Sequence, residues 1–141
     1  MELRLEVIVV PVADLDRAKA FYSEKLGFNV DVDRQVTEDY RVVQLTPPGS
    51  ACSIVIQSRG GAGAQSASPI KGLQLVTHDL RATRAELVGR GAELGEIQVF
   101  EGSGPRDARD DDELDFAGFV FFEDPDGNGW AIQQMPRGRG G

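Results

Sequence analysis

The chain has 141 residues, 40% hydrophobic and 27% charged, which suits one compact soluble domain or two very small modules sharing a core. Its 23 acidic and 15 basic side chains leave a formal charge of −8, a surface that repels nucleic-acid backbones and anionic membranes and tolerates a cationic small molecule. No stretch approaches the roughly 18 apolar residues of a membrane span, so neither nucleic acid nor membrane is an expected partner.

The first residues, MELRLEVIVVPV, lack a basic segment followed by a separate apolar core. They read as a strand, carried by Val7–Val10 and Val12, rather than as an export signal. Asp14 is placed to cap a helix, because its carboxylate can accept the free N–H groups of a first turn. Leu15, Ala18, Phe21, Tyr22 and Leu26 follow at helical spacing, and Gly27 ends the helix. Strands are expected over 29–34, 40–46 and 52–58, with PPGS at 47–50 as a turn. The lone Cys52 has no internal disulfide partner, and a cytoplasmic address follows as the default.

The segment 59–70, rich in glycine and small polar residues, reads as a flexible linker. Beyond it the plan repeats. KGLQLVTHDLRATRAELVGRGAEL at 71–94 gives a strand, an Asp79 cap and a helix through about Val88, closed by Gly91. Asp14–Leu15 and Asp79–Leu80 lie 65 residues apart. The recurrence points to a duplicated βαβββ unit. Strands are expected over 96–100, 118–122 and 129–134, and GSGPRDARDDDELD at 102–115 reads as a long acidic loop. The modules then span 5–58 and 71–134 of a single domain over 1–141, with a frayed tail at 135–141.

With VADLDRAKAFYSEKLGF, a second helix start of the V-x-x-D-L type and EDPDGN in place, the sequence resembles the vicinal oxygen chelate superfamily. That group includes glyoxalase I, extradiol dioxygenases and bleomycin resistance proteins, and the likeness covers about residues 5–134. It implies an α+β fold of two tandem βαβββ modules forming a curved mixed-sheet cavity. It also implies a homodimer. One scaffold hosts several chemistries, so the fold does not fix the reaction.

In metal-dependent members the ligands sit on the first and last strands of each module. The first-strand positions, seven residues before each capping aspartate, fall here on Val7 and Gly72. The last-strand position of the second module falls on Ala131. Its first-module equivalent falls near Val55, or on Ser53 if the register shifts by two. A divalent ion needs three or four convergent donors, and this set does not offer them. No metal and no cofactor is therefore expected. The one histidine, His78, cannot build a two-histidine site and reads as a solvated turn residue, with a functional donor or base as the alternative. The acidic loop lacks the ligand spacing of an EF-hand. It reads as a solvated charge run, the alternative being a lid or a cation-attracting entrance.

Residues two apart share a strand face. If the four metal positions face the cavity, Ser53, Gln57, Gln74 and Gln133 join them as neutral polar contacts. Arg41 is a further candidate at a pocket edge, with Tyr40 and Gln44. Ile8, Val10, Leu73, Leu75, Trp130 and Ile132 then pack behind as core. Trp130 has a dimer or ligand contact as its alternative. Phe119 and Phe121 line the cavity while Phe122 packs behind it, and a slip of one residue would exchange these faces.

Three functions stay open. The first is a metal-free cavity that binds a small organic molecule, such as a cationic antibiotic or metabolite, in the manner of bleomycin resistance proteins. The second is a cofactor-independent isomerase, cyclase or lyase that positions a reactive substrate. The third is a protein-interaction scaffold. Whether the chain is an enzyme is left undecided by its sequence.

Overall fold

The computed structural model describes residues 1–59 and 68–137. Of the expected linker at 59–70, residues 60–67 lie outside the described residues, and of the expected tail at 135–141, residues 138–141 do; Arg59 belongs to a strand rather than to the linker. The chain divides into two compact units, Met1–Ile70 with Asp124–Asn128, and Lys71–Glu123 with Gly129–Gly141.

In the first unit β1 (Val7–Val9), α1 (Leu15–Ala20), β2 (Asn29–Thr37), β3 (Tyr40–Thr46) and β4 (Ser53–Arg59) form a mixed sheet of order β1-β4-β3-β2 with α1 against it. The β1–β4 pair is parallel and the others antiparallel. Asp14 caps α1 as expected, its Oδ1 accepting the Arg17 N–H at 3.0 Å. The helix does not run on regularly to Gly27. Phe21–Lys25 form a π-helical turn, in which the Leu26 N–H reaches back to the Phe21 carbonyl at 3.2 Å. Gly27 then reverses the chain at φ +73°. Val10, Leu15, Ala18, Tyr22, Val43, Leu45, Ile54 and Ile56 are buried and form the core on the helix side of the sheet.

In the second unit β5 (Leu73–Thr77), α2 (Leu80–Gly89), β6 (Gln98–Glu101), β7 (Gly104–Asp107), β8 (Gly118–Glu123) and β9 (Gly129–Gln134) form a mixed sheet of order β5-β9-β8-β6-β7. Asp79 caps α2, accepting the Ala82 N–H at 3.0 Å. Leu80 and Leu87 turn the buried face of that helix toward β8 and β9. Trp130, Ile132, Val120 and Phe122 are buried on that side, with the Trp130 and Phe122 rings nearly parallel at 6.1 Å. Without β7, this strand order matches that of the first unit. The fold is α+β, with one mixed sheet per module.

The strand β7 corrects the reading of 102–115 as loop. Gly102–Ser103 is a two-residue turn that pairs Glu101 with Gly104. Gly104-Pro-Arg-Asp has neither β-branched nor aromatic side chains, so periodicity did not reveal it. Ion pairs hold the segment beyond the strand. Arg106 binds Glu101 at 2.9 Å and Asp112 at 2.8 Å, and Asp112 accepts the Arg109 N–H at 2.6 Å. Arg81 on α2 donates to the Arg109 carbonyl at 3.0 Å. The segment is thus tied down at Arg106, Asp112 and Arg109, while Asp107, Asp110, Asp111 and Glu113 stay exposed.

Candidate functional site

Strand alternation gives each sheet a helix-bearing face and an opposite one. In the second unit the opposite face carries Gln74 and Val76 of β5, Ala131 and Gln133 of β9, Phe119 and Phe121 of β8, and Phe100 of β6. Gln74 pairs with Ala131, which pairs with Phe121; Gln133 pairs with Phe119. This face stays open: Val76 is 51% exposed, Phe121 44% and Phe100 43%.

A pocket of about 520 Å³ opens over this face, lined in part by Gly72, Gln74, Phe119, Phe121, Glu123 and Ala131. That is within the usual range of small-molecule sites, roughly 300–1,000 Å³. The Phe119 and Phe121 rings are parallel at 5.9 Å, and Phe100 stands edge-on to them at 5.1 and 6.0 Å. Lys71 and Glu123, which also line the pocket, pair with each other across 2.9 Å. The walls therefore offer aromatic surface, the small residues Gly72, Gly129 and Ala131, the Gln74 carboxamide and the Lys71–Glu123 ion pair.

The carboxamides of Gln74 and Gln133 meet directly. Gln74 Nε2 donates to Gln133 Oε1 at 2.6 Å, and Gln133 Nε2 donates to the Phe116 carbonyl at 2.7 Å. Phe116 has φ +67°, a left-handed conformation that costs a residue with a Cβ. Its own N–H donates to the Gln134 carbonyl at 2.8 Å. Residue type and strand face pointed to the glutamines. Their partner Phe116 left no sequence signal, because its role comes from backbone conformation.

The other expected contacts lie in the first unit. Ser53, Val55 and Gln57 share the face turned away from the helix with Tyr40, Val42, Gln44 and Thr46. The Ser53 and Thr46 hydroxyls are 2.6 Å apart, and the Tyr40 hydroxyl donates to Gln57 Oε1 at 3.0 Å. Arg41 lies on the opposite, helix-bearing face, so the structure does not bring it together with Ser53 and Gln57. Its guanidinium binds Asp33 through Nε and Nη2, both at 2.9 Å, and Asp16 of α1 through Nη1 at 2.7 Å. Hydrogen bonds from Arg41 first and Lys19 second hold Asp33 well below the usual carboxylate range. His78 is exposed, with Nδ1 at 3.0 Å from the Met135 carbonyl.

Strand register also fixes the equivalence that sequence left ambiguous. Ala131 pairs with Gln74, five residues before its capping aspartate; Val55 pairs with Val9, five before its own. Val55, not Ser53, is therefore the counterpart of Ala131. The four metal positions of the scaffold hold Val7, Val55, Gly72 and Ala131, none with a side-chain donor, and they do not fit a divalent ion. Among the described residues, no group of three His, Cys, Asp or Glu side chains could hold a metal ion, and no helix is long and apolar enough to cross a membrane.

The family model of the Glyoxalase/Bleomycin resistance protein/Dioxygenase superfamily matches residues 4–132. The chain belongs to that superfamily. Among superfamily structures, the antibiotic binding protein TnmS3 from Streptomyces sp. CB03234 is similar at 26% identity and a TM-score of 0.68, over 95% of this chain and 97% of that one. A glyoxalase/bleomycin resistance protein from the same Streptomyces strain is similar at 28% identity and a TM-score of 0.67, over 93% of this chain and 100% of the other. Uncharacterized protein YetH of Bacillus subtilis (strain 168) is 24% identical over 135 residues, covering 93% of this chain and 98% of its own.

Proposed function

We propose that this superfamily member binds a small organic molecule on the open face of its second sheet, without a metal ion. The observation that carries the reading is the pocket itself. Where the scaffold would place metal ligands it has Gly72 and Ala131, and around them stand Phe119, Phe121 and Gln74. Such a wall recognises an organic surface and a few hydrogen-bonding groups rather than an ion. The likeness to a protein described as antibiotic binding supports a role in sequestering such a molecule.

The net charge of −8 favours the approach of a cationic antibiotic or metabolite, while the pocket wall discriminates by shape and hydrogen bonding. Gln74 is the polar contact of this site, hydrogen-bonded to Gln133; on the first sheet Ser53 and Gln57 are a separate candidate pair. A homodimer in the cytoplasm, where Cys52 stays a thiol, completes the reading; sedimentation analysis that finds only monomer would remove the dimer from it.

Calorimetric screening of metal-free protein against cationic and neutral antibiotics and metabolites tests the function. Saturable, stoichiometric binding that survives chelation is expected. Turnover of a bound compound without metal would move the reading to a cofactor-independent isomerase, cyclase or lyase. An absence of binding across the whole set would overturn it.

A further inference from the structure

The hydrogen-bond chain on the second sheet has a direction, and the direction specifies the ligand. The Phe116 carbonyl can only accept. Gln133 must therefore turn its Nε2 toward it, as the 2.7 Å contact has it. This leaves Gln133 Oε1 facing Gln74, so Gln74 must donate with its own Nε2 at 2.6 Å. Reversing either amide would set two acceptors or two donors against each other. The Phe116 peptide is itself held by its N–H bond to Gln134, which fixes the origin of the chain. Gln74 Oε1 is then left as an acceptor at the pocket, with no hydrogen bond among the described residues.

The rest of the wall sets shape. Gln74, Ala131 and Phe121 are neighbours across three adjacent strands. Two strand spacings put the acceptor and the aromatic surface roughly 9–10 Å apart. Ala131 keeps the span between them low. Phe119 and Phe121, their rings parallel on the pocket wall, favour a conjugated ring over an aliphatic chain of equal size.

We propose that the ligand is a flat fused-ring molecule, two or three rings wide, that packs against Phe119 and Phe121 and presents an N–H or O–H donor to Gln74. The inference rests on the reading of this face as the ligand site and adds the class of molecule and the polarity of its edge. Gln133 acts here as a positioning residue, because it dictates which end of the Gln74 amide meets the ligand.

Matched pairs that differ only in the donor test it: carbazole with N-methylcarbazole, and 2-naphthol with 2-methoxynaphthalene, titrated by fluorescence beside a general small-molecule library. The donor member of each pair is expected to bind about tenfold more tightly, the size of one good hydrogen bond. In Gln74→Leu the two members should bind alike. In Gln133→Met, which frees the Gln74 amide to turn, the preference should shrink while the donor member still binds. Equal affinities within each pair in the parent protein would overturn the proposal. So would library hits confined to aliphatic compounds on this face, an outcome that leaves the ligand-binding reading standing. No binding by any compound would overturn both.

Discussion

The phenol of Tyr22 donates to Asp124 Oδ2 at 2.6 Å, and both side chains are buried in the first unit. Asp124 Oδ1 also accepts the N–H groups of Asp126 and Asn128, each at 2.9 Å. Asn128 in turn donates to the Pro11 carbonyl at 2.7 Å and accepts the Ile70 N–H at 2.9 Å. The residues of the D-P-D-G-N turn thus anchor a segment distant in sequence to the core of the first unit. Tyr22→Phe keeps the packing and removes one hydrogen bond to a buried carboxylate, so it should cost about 1.5–3 kcal/mol. Urea denaturation measures this; an unchanged midpoint would show that the bond contributes nothing net.

The two aspartate caps make an internal control. Asp14→Ala and Asp79→Ala each leave a first-turn N–H without its acceptor, and each should lower stability by about 0.5–2 kcal/mol. Serine at either position should recover most of the loss. Thermal denaturation of the four variants decides it, and equal losses for Ala and Ser would rule out capping as the cause.

Arg41 predicts an acid dependence. Asp33 titrates below its ordinary value in the folded chain because Arg41, then Lys19, hydrogen-bond its charged form. A lowered folded pKa adds stability that is complete above the unfolded value, about 4, and is lost as pH falls through the folded one. Arg41→Met should therefore reduce stability at neutral pH and flatten the loss of stability below about pH 4. Parallel curves for the parent and the variant between neutral and acid pH would contradict this.

Chelation gives a further test. Val7, Val55, Gly72 and Ala131 supply no donor, so exhaustive treatment with a chelator should leave both the melting temperature and ligand affinity unchanged. Loss of either, restored by one equivalent of a divalent ion, would place a metal site elsewhere in the chain.

Much of this architecture was legible because it depends on local pattern. The aspartate caps, the glycines that end the helices and the alternation in Leu73–Val76 and Trp130–Gln133 each follow from one residue and its near neighbours. The alternation also separated Phe119 and Phe121 from buried Phe122. The features that escaped depend on partners distant in sequence or on backbone conformation. Arg41 was expected at a pocket edge with Tyr40 and Gln44, yet strand alternation set against Val43 and Leu45 would have placed it on the helix side. Strand β7 forms by pairing with β6 and is held by Arg106, neither visible as periodicity. The π-helical turn at Phe21–Lys25 and the left-handed Phe116 are properties of the folded backbone, and only the folded chain shows them.

The aromatic wall should govern affinity. Phe121→Ala, at an exposed position, should weaken a bound flat ligand by about 0.5–1.5 kcal/mol beyond the area lost, the usual worth of an aromatic pair. Stability should change far less than affinity. Equal binding by the variant, measured by the same fluorescence titration, would remove the ring from the site.

The most direct measurement is a backbone-amide NMR titration of the metal-free protein with a flat donor compound taken to saturation. Saturable shifts centred on Gln74, Phe119, Phe121 and Ala131, unchanged by chelator, are expected. A compound that saturates while leaving all four resonances unmoved would contradict this.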